Sequence, residues 1–286
     1  MIDTHFATGH LYGLNLRTRA LVHLIHCDGE TKRKEHDMGA LKRLNPNELR
    51  MGAPKGRKVL WIWDKAGISF GQWHKWKQGS GVYFLSRAKE NMNLTIAPRP
   101  WDGSDPVNAG ILKDGYLVDG PQTPIRLVVF QDPISGDTFE FITNLMNVEP
   151  GVIAQLYRMR WDIEKSFDAL KNQFGETKAW ASGATAKTMQ ATFLAIATNL
   201  VTIFEHYLEL CQGIRNTPER NRKAKRLKEE RRQLRKAGLK APALYCRLVR
   251  FTKTSVKFIR WIRMHLWRAT CWSDALARLC RIYASL

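Results

Sequence analysis

Residues Val59 to Trp63 have the sequence VLWIW and are followed directly by Asp64. Every position in this stretch is apolar, which is typical of a central strand that other elements cover on both faces. A stretch of helical character, Phe70 to Lys77, and a second buried strand, Val82 to Ser86, follow it. The order strand, helix, strand predicts an α/β fold built on a sheet. Asp64 stands at a strand end and is therefore a candidate site residue.

Residues 92 to 150 have a different character, because turns rich in Pro and Gly separate short β-like runs. We predict a hairpin in this region, with strands at Arg126 to Phe130 and Thr138 to Thr143 and a turn at Pro133 to Gly136. The region is interpreted as a β-rich insertion.

From Pro150 to Phe174 the apolar residues recur at steps of three and four, which predicts one long amphipathic helix. Four polar side chains form a stripe beside its apolar face, since at about 100° per residue they fall within an arc of roughly 60°. They are Tyr157, Arg160, Glu164 and Lys171. Periodicity alone favours a simpler interpretation, in which Arg160 and Glu164 are an ordinary i,i+4 ion pair and Lys171 is a solvated lysine.

The C-terminal third of the sequence is basic. A second apolar helix is predicted at about 186 to 210, and the run from Arg215 to Lys240 contains twelve Lys or Arg against three Glu. This run predicts an exposed helix or a partly disordered arm that binds phosphates without sequence preference. The final segment, Leu244 to Tyr283, is helical by pattern.

The composition points to a polyanionic partner, because 46 Lys and Arg against 26 Asp and Glu give a net charge of +20. Nucleic acid or an anionic membrane surface would both fit this charge. The most apolar stretch, Thr192 to Leu210, includes Asn199, Glu205 and His206, which favours a buried helix over a membrane span. Five scattered cysteines without a C-x-x-C pair favour a reducing cytoplasm over a disulfide framework or a zinc site.

The stretch from Tyr157 to Lys171, YRMRWDIEKSFDALK, resembles without a gap the Y-x2-R-x3-E-x6-K signature of bacterial insertion-sequence transposases of the IS-four type, relatives of the Tn-five transposase. The likeness extends to WDKAGI from Trp63, to YFLSRAK from Tyr83 and to FEFITNL from Phe139. It covers about residues 1 to 205 and thins out in the basic C-terminal third.

The resemblance implies a ribonuclease-H-like mixed sheet flanked by helices and a DDE site of three carboxylates. Glu164 would be the third acid and Asp64 the second, while Asp3 in MIDTH is the best match for the first and Asp28 is the alternative. Two Mg²⁺ ions about 4 Å apart, with Mn²⁺ as a substitute, would activate the nucleophile and relieve charge on the leaving oxygen. Carboxylate oxygens suit such hard cations.

Five further residues receive DNA-binding roles from the resemblance. Arg160 and Lys171 would hold phosphates of the transposon end, and the guanidinium fork of Arg160 matches phosphate oxygens. Tyr157 offers a hydroxyl donor and a stacking surface. Arg87 and Lys89 share a face after the second-carboxylate strand and would add backbone contacts, although a plain surface role fits them equally.

The implied function is cut-and-paste DNA transposition in the bacterial cytoplasm, on the nucleoid, with double-stranded transposon ends and target as partners and no membrane. A homodimer on paired ends is implied, and a hairpin intermediate is left open. We divide the chain into the first half of the catalytic core, the insertion, the second half of the core and a basic helical C-terminal region. Their bounds are 1–91, 92–150, 151–212 and 213–286.

One departure from the family concerns the start of the chain. Relatives carry a helical end-recognition domain before the first carboxylate, whereas this sequence begins two residues before Asp3. We therefore expect weak or no specific transposition by this chain alone. A non-catalytic DNA-binding remnant or inhibitor is the chief alternative function, and a structural RNA-binding protein is a second.

Overall fold

The computed structural model of the 286-residue chain describes most of the sequence up to residue 239. The described residues are 9–27, 37–92, 94–118, 124–161, 163, 164, 167, 179, 181–210 and 217–239. They divide into two compact units, one containing residues 9–11, 24–160 and 233–239 and the other containing residues 12–23 and the described part of 161–232.

Within the described residues, all the strands and three α-helices precede residue 159, and the regular elements beyond it are helices. The strands are β1 (His10–Leu14), β2 (Leu21–His26), β3 (Val59–Trp63), β4 (Val82–Arg87), β5 (Ile96–Pro98), β6 (Ile111–Leu117), β7 (Arg126–Gln131) and β8 (Thr138–Thr143). The helices are α1 (Asp37–Arg43), α2 (Phe70–Ser80), α3 (Pro150–Arg158), α4 (Ala184–Leu210) and α5 (Thr217–Lys236).

Six strands form one mixed sheet in the order β3-β4-β8-β7-β6-β5, while β1 and β2 pair separately. β3 and β4 are parallel, as a strand-helix-strand unit requires, and Trp63 stands opposite Ser86 at their carboxyl ends. All other neighbours in the sheet are antiparallel. The predicted α/β fold with a mixed sheet flanked by helices is confirmed, and the strands of the predicted insertion extend this same sheet.

Helices cover both faces of the sheet because neighbouring strand residues point to opposite sides. Phe84 of β4 packs with Trp73 and Trp76 of α2 in one core cluster. The next residue, Leu85, packs with Ile153 and Tyr157 of α3 in a second cluster.

β3 is also covered on both faces, because Trp61 and Trp63 pack in the first cluster and Leu60 and Ile62 pack against the second. The prediction that Val59 to Trp63 is a central strand is nevertheless wrong for the described part of the sheet, in which β3 is the end strand.

A buried ion pair anchors the chain that leads into α3. The Arg126 guanidinium donates two hydrogen bonds of 2.7 Å to the Asp114 carboxylate, and both side chains are fully buried. Its remaining nitrogen donates to the carbonyl oxygen of Val148 at 2.6 Å. Removing one partner of such a pair would leave a buried charge, so Arg126 firmly links β6, β7 and the segment before α3.

The N-terminus of α3 has a second attachment. The side-chain oxygen of Asn108 accepts a hydrogen bond from the Gly151 backbone N–H at 3.0 Å, and its amide nitrogen donates to Glu149 at 3.1 Å. Gly151 must lack a side chain here, because a Cβ would overlap the backbone carbonyl of Val107. Val107 and Asn108 therefore fix where α3 begins.

In the second unit, α4 packs through one side. Leu194 and Ala195 are buried with Leu21, and Phe167 and Tyr12 pack against them. Among the helices within the described residues, none is both long and apolar enough to cross a membrane.

The structure refines the predicted helices. The hairpin of β7 and β8 is confirmed, with residues paired from Arg126 and Thr143 to Gln131 and Thr138. The prediction of one continuous helix from Pro150 is wrong, because α3 ends at Arg158 and the N–H groups of Met159 and Arg160 bond three residues back. Residues 161, 163, 164 and 167 are helical again.

Candidate functional site

Asp64 occupies the carboxyl end of β3, where the chain leaves the sheet. One oxygen of its exposed carboxylate accepts a hydrogen bond from the Lys65 backbone N–H at 2.7 Å, which caps the 3₁₀ turn Lys65–Gly67. The Ser86 hydroxyl donates to the backbone carbonyl of Asp64 at 3.2 Å and ties it to β4. The carboxylate is thus oriented by the backbone and open to solvent.

A row of three aromatic rings lies on the α3 side of the sheet. Phe139 and Phe141 are two residues apart on β8, so they share a face, and their rings stack at 6.2 Å with an angle of 5°. The Tyr157 ring of α3 continues the row, with its centroid 4.8 Å from that of Phe141. β8 and α3 therefore pack against each other through these rings.

A guanidinium group lies at each end of this aromatic row. The Arg87 guanidinium carbon is 5.1 Å from the Phe139 ring centroid, and that of Arg160 is 5.7 Å from the Tyr157 centroid. Both distances are within the range of cation–π attraction. Arg160 and Tyr157 also share a side-chain hydrogen bond. The ring row therefore holds in place two guanidinium groups, whose planar shape matches phosphate oxygens.

Asp64 and Arg87 lie at the same end of neighbouring strands, because Ser86, which precedes Arg87, bonds to the Asp64 carbonyl. Arg87 stands opposite Phe141, whose ring contacts Tyr157.

Burial raises the pKa of the Tyr157 phenol above its usual value, and the negative charge of Asp64 acts in the same direction. The positive charges of Arg160 and Arg87 oppose this rise in pKa. The phenol is protonated at neutral pH, as an ordinary tyrosine is, and can donate a hydrogen bond.

Four of the predicted site residues are therefore brought together in the first unit: Asp64, Arg87, Tyr157 and Arg160. Lys89 is half-buried two residues beyond β4, and no contact of its side chain marks it as part of this group. Glu164 is half-buried and belongs to the second unit.

The remaining predicted residues, Asp3, its alternative Asp28, and Lys171, lie outside the described residues. Within the part of the chain that the structure describes, no group of three or more His, Cys, Asp or Glu side chains could hold a metal ion. The exposed, oriented carboxylate of Asp64 nonetheless suits a hard divalent cation, which prefers oxygen ligands.

Sequence reasoning missed the two phenylalanines of the ring row. The FEF pattern of Phe139 to Phe141 predicts a strand, and its two-residue alternation places both rings on one face. The spacing does not reveal that a tyrosine from α3 meets them there. A search for an aromatic pair on the strand before the signature helix would have found this signal.

Comparison with protein-family models gives a match over most of the chain. The model described as "Transposase DDE domain" matches residues 10–200, which is about two thirds of the chain. A search of the curated proteins gives no match. The matched region includes β3, β4, α3 and all four grouped side chains.

Proposed function

Because the chain belongs to the family of transposases with a DDE domain, we propose that it is an insertion-sequence transposase of the IS-four type that cuts and rejoins DNA. The observation that supports this proposal most directly is the grouping of Asp64 with Arg87, Tyr157 and Arg160. A carboxylate beside two guanidinium groups and a protonated phenol suits a phosphodiester and a divalent cation together.

The acids of the proposed catalytic site are Asp3, Asp64 and Glu164. DDE transposases generally use divalent metal ions, and we assign two Mg²⁺ ions, replaceable by Mn²⁺, to these three carboxylates. When bound, the metal supplies an activated oxygen nucleophile and relief of charge on the leaving oxygen. Asp64 contributes an exposed carboxylate that its bond from the Lys65 N–H orients.

The basic residues and the tyrosine position the DNA strand in this proposal. Arg87 and Arg160 each bind phosphate oxygens through a guanidinium group, which aromatic contact holds in place. The Tyr157 hydroxyl, which is protonated at neutral pH, donates a hydrogen bond to a phosphate oxygen. Lys89 and Lys171 add positive charge along the backbone of the transposon end.

The proposed reaction has two phosphoryl-transfer steps. First, a water oxygen attacks the phosphorus at the element's end, the bond to the 3′ oxygen breaks, and a 3′ hydroxyl and a 5′ phosphate result. Second, this 3′ hydroxyl attacks a target phosphodiester, a new P–O bond forms, and the target's own 3′ oxygen leaves. A hairpin intermediate between the two steps is compatible with this scheme.

The family also suggests how many copies act together and where in the cell they act. We propose that two copies act on paired ends, in the bacterial cytoplasm and on the nucleoid. In this proposal the catalytic core consists of residues 1–91 and 151–212, and the insertion consists of residues 92–150. Residues 213–286 bind phosphates without sequence preference.

The test is a nicking assay on a supercoiled plasmid that carries the terminal sequences of the element. We expect relaxed product with Mg²⁺ or Mn²⁺ and none with EDTA. Asp64→Asn and Glu164→Gln should abolish the product while leaving DNA binding in place, because the amides keep the shape and lose the metal-binding charge.

Asp137→Asn and Glu48→Gln are matched controls, since both carboxylates are exposed and stand outside the grouped side chains. They should nick at the parent rate. DNA binding without nicking by the unchanged chain under either metal would contradict the enzymatic proposal and leave the non-catalytic DNA-binding remnant.

A further inference from the structure

One side of α4 presents a row of large apolar side chains to solvent. Met189, Phe193, Ile196, Leu200 and Ile203 are 51%, 53%, 47%, 61% and 64% exposed. Their spacing is four, three, four, three, so they occupy successive a and d positions of two heptads. We call these five residues the α4 seam. A contiguous apolar row of this kind on a soluble domain marks an interaction surface.

The opposite side of α4 is packed against other residues of the second unit, and this packing fixes the rotation of the helix about its axis. Leu194, Ala195 and Thr198 are buried on that side. Asn199 makes two hydrogen bonds to the Leu21 backbone, one accepted from its N–H at 2.8 Å and one donated to its carbonyl at 2.9 Å. The α4 seam therefore cannot turn inward without breaking these contacts. The sequence-based prediction of a buried helix is right for one side only.

The electrostatics of α4 favour a second copy of this chain as the occupant. The chain has a net charge of +20, so two copies repel each other over most of their surface. No charged residue stands between Lys187 and Glu205, and the α4 seam lies entirely within this uncharged interval. Pairing through the α4 seam therefore places no charged side chain of this interval against the other copy, so the local like-charge repulsion is weaker there than at a basic surface.

The area of the α4 seam is sufficient for a specific dimer. Each of its side chains exposes roughly 100 Å², so the five together offer roughly 500 Å² per copy and roughly 1,000 Å² for the pair. This is about the lower bound for a specific interface between proteins. Tyr207, 46% exposed, continues the same spacing and adds to the area.

We propose that the α4 seam is a self-association surface, through which two copies of this chain pair helix to helix before they bind DNA. The heptad spacing allows the side chains of one copy to fill the spaces between those of the other. The proposal goes beyond the proposed function, because it concerns the protein without DNA and stands even for a chain that cleaves nothing.

The experiment is sedimentation equilibrium of the full chain without DNA or metal, over a range of protein concentrations. The unchanged chain should approach twice its mass of 32.9 kDa. Leu200→Glu and Ile203→Glu should each raise the dissociation constant by at least about tenfold, because each carboxylate would be buried against its copy. Both side chains are exposed, so the fold of the single chain should tolerate the change.

The matched control is Ile134→Glu. Ile134 is 44% exposed in the turn between β7 and β8, so the same residue type is changed outside the α4 seam. Its dissociation constant should equal that of the unchanged chain.

Three outcomes would overturn the proposal. The first is an unchanged chain that stays monomeric at every concentration, and the second is a dimer that tolerates both substitutions. The third is a monomer whose thermal midpoint falls with Ile203→Glu and not with Ile134→Glu, which would identify a segment of the same chain as the occupant. None of these outcomes bears on DNA cleavage.

Discussion

The Tyr157 side chain connects packing with chemistry at the scale of a single residue. Its ring packs against Phe141, while its hydroxyl lies in the field of one carboxylate and two guanidinium groups. Because burial is the largest influence on its pKa, the folded protein holds the phenol proton more tightly than the unfolded chain does. The contribution of this proton to stability is present below the ordinary tyrosine pKa of about 10 and is lost as pH rises through the folded pKa.

The raised pKa of Tyr157 in the folded protein predicts a late step in the alkaline titration. Ultraviolet absorbance of tyrosinate should show one of the seven tyrosines ionising above the usual range, and Tyr157→Phe should remove that step. Tyr116→Phe, at an exposed position on β6, should leave it in place. A late step that survives Tyr157→Phe would show that another tyrosine produces it.

Some of the site residues could be predicted from the sequence, and others could not. Asp64 could be predicted because an abrupt carboxylate after five apolar residues marks the end of a buried strand. Tyr157 and Arg160 could be predicted because their spacing matches a family signature. Phe139 and Phe141 could not, since the contact of their rings with Tyr157 depends on how a helix crosses a strand, which local pattern does not encode.

At the scale of elements, the attachment of α3 determines where its site residues lie. Its first turn depends on Gly151, whose backbone N–H bonds to Asn108 and whose missing side chain leaves room for the Val107 carbonyl. Any residue with a Cβ at this position must push the helix away from the Val107 carbonyl.

We expect Gly151→Ala to lower the free energy of unfolding by at least about 1–3 kcal/mol, as overpacking against a backbone atom does. Gly71→Ala is the matched control, because Gly71 is also in the first turn of a helix and a Cβ there meets nothing within 4 Å. Urea denaturation would compare the two variants. Equal midpoints would show that α3 has more freedom to shift than its contacts indicate.

The interrupted helix after Arg158 shows a limit of periodicity arguments. Two hydrogen bonds that reach three residues back instead of four tighten one turn, but they barely change the order in which apolar residues recur. The pattern from Pro150 onward therefore predicted helix correctly and continuity wrongly. The hairpin of β7 and β8 could be predicted fully, because its turn residues stand between two alternating runs.

At the scale of the whole molecule, the net charge of +20 dominates the interaction with DNA. Neutralised phosphates release counterions, so DNA affinity should fall steeply as salt rises. Arg160→Gln should weaken binding and reduce the slope of log affinity against log salt by about one, if the guanidinium contacts one phosphate.

Fluorescence anisotropy of a labelled duplex at several salt concentrations would measure this slope. Lys113→Gln is the control, because Lys113 is exposed on β6 and stands outside the grouped side chains. An equal loss of slope in both variants would mean that phosphate binding is spread over the surface and does not single out Arg160.

Composition predicted the class of partner for the whole molecule, since charge is additive and independent of the fold. The α4 seam could not be predicted in the same way. Apolar periodicity marks which residues avoid water, but it does not tell whether the element that covers them belongs to the same chain.

The Arg126 link has a consequence for how this chain tolerates changes in length. The Arg126 guanidinium joins β6 to the residues just before α3. Deleting β5 and β6 would therefore leave the Arg126 charge buried without its carboxylate and would remove an attachment of the helix start. β5 and β6 therefore support the position of Tyr157 and Arg160. Natural shortening of this protein should therefore spare them and fall on its surface turns instead.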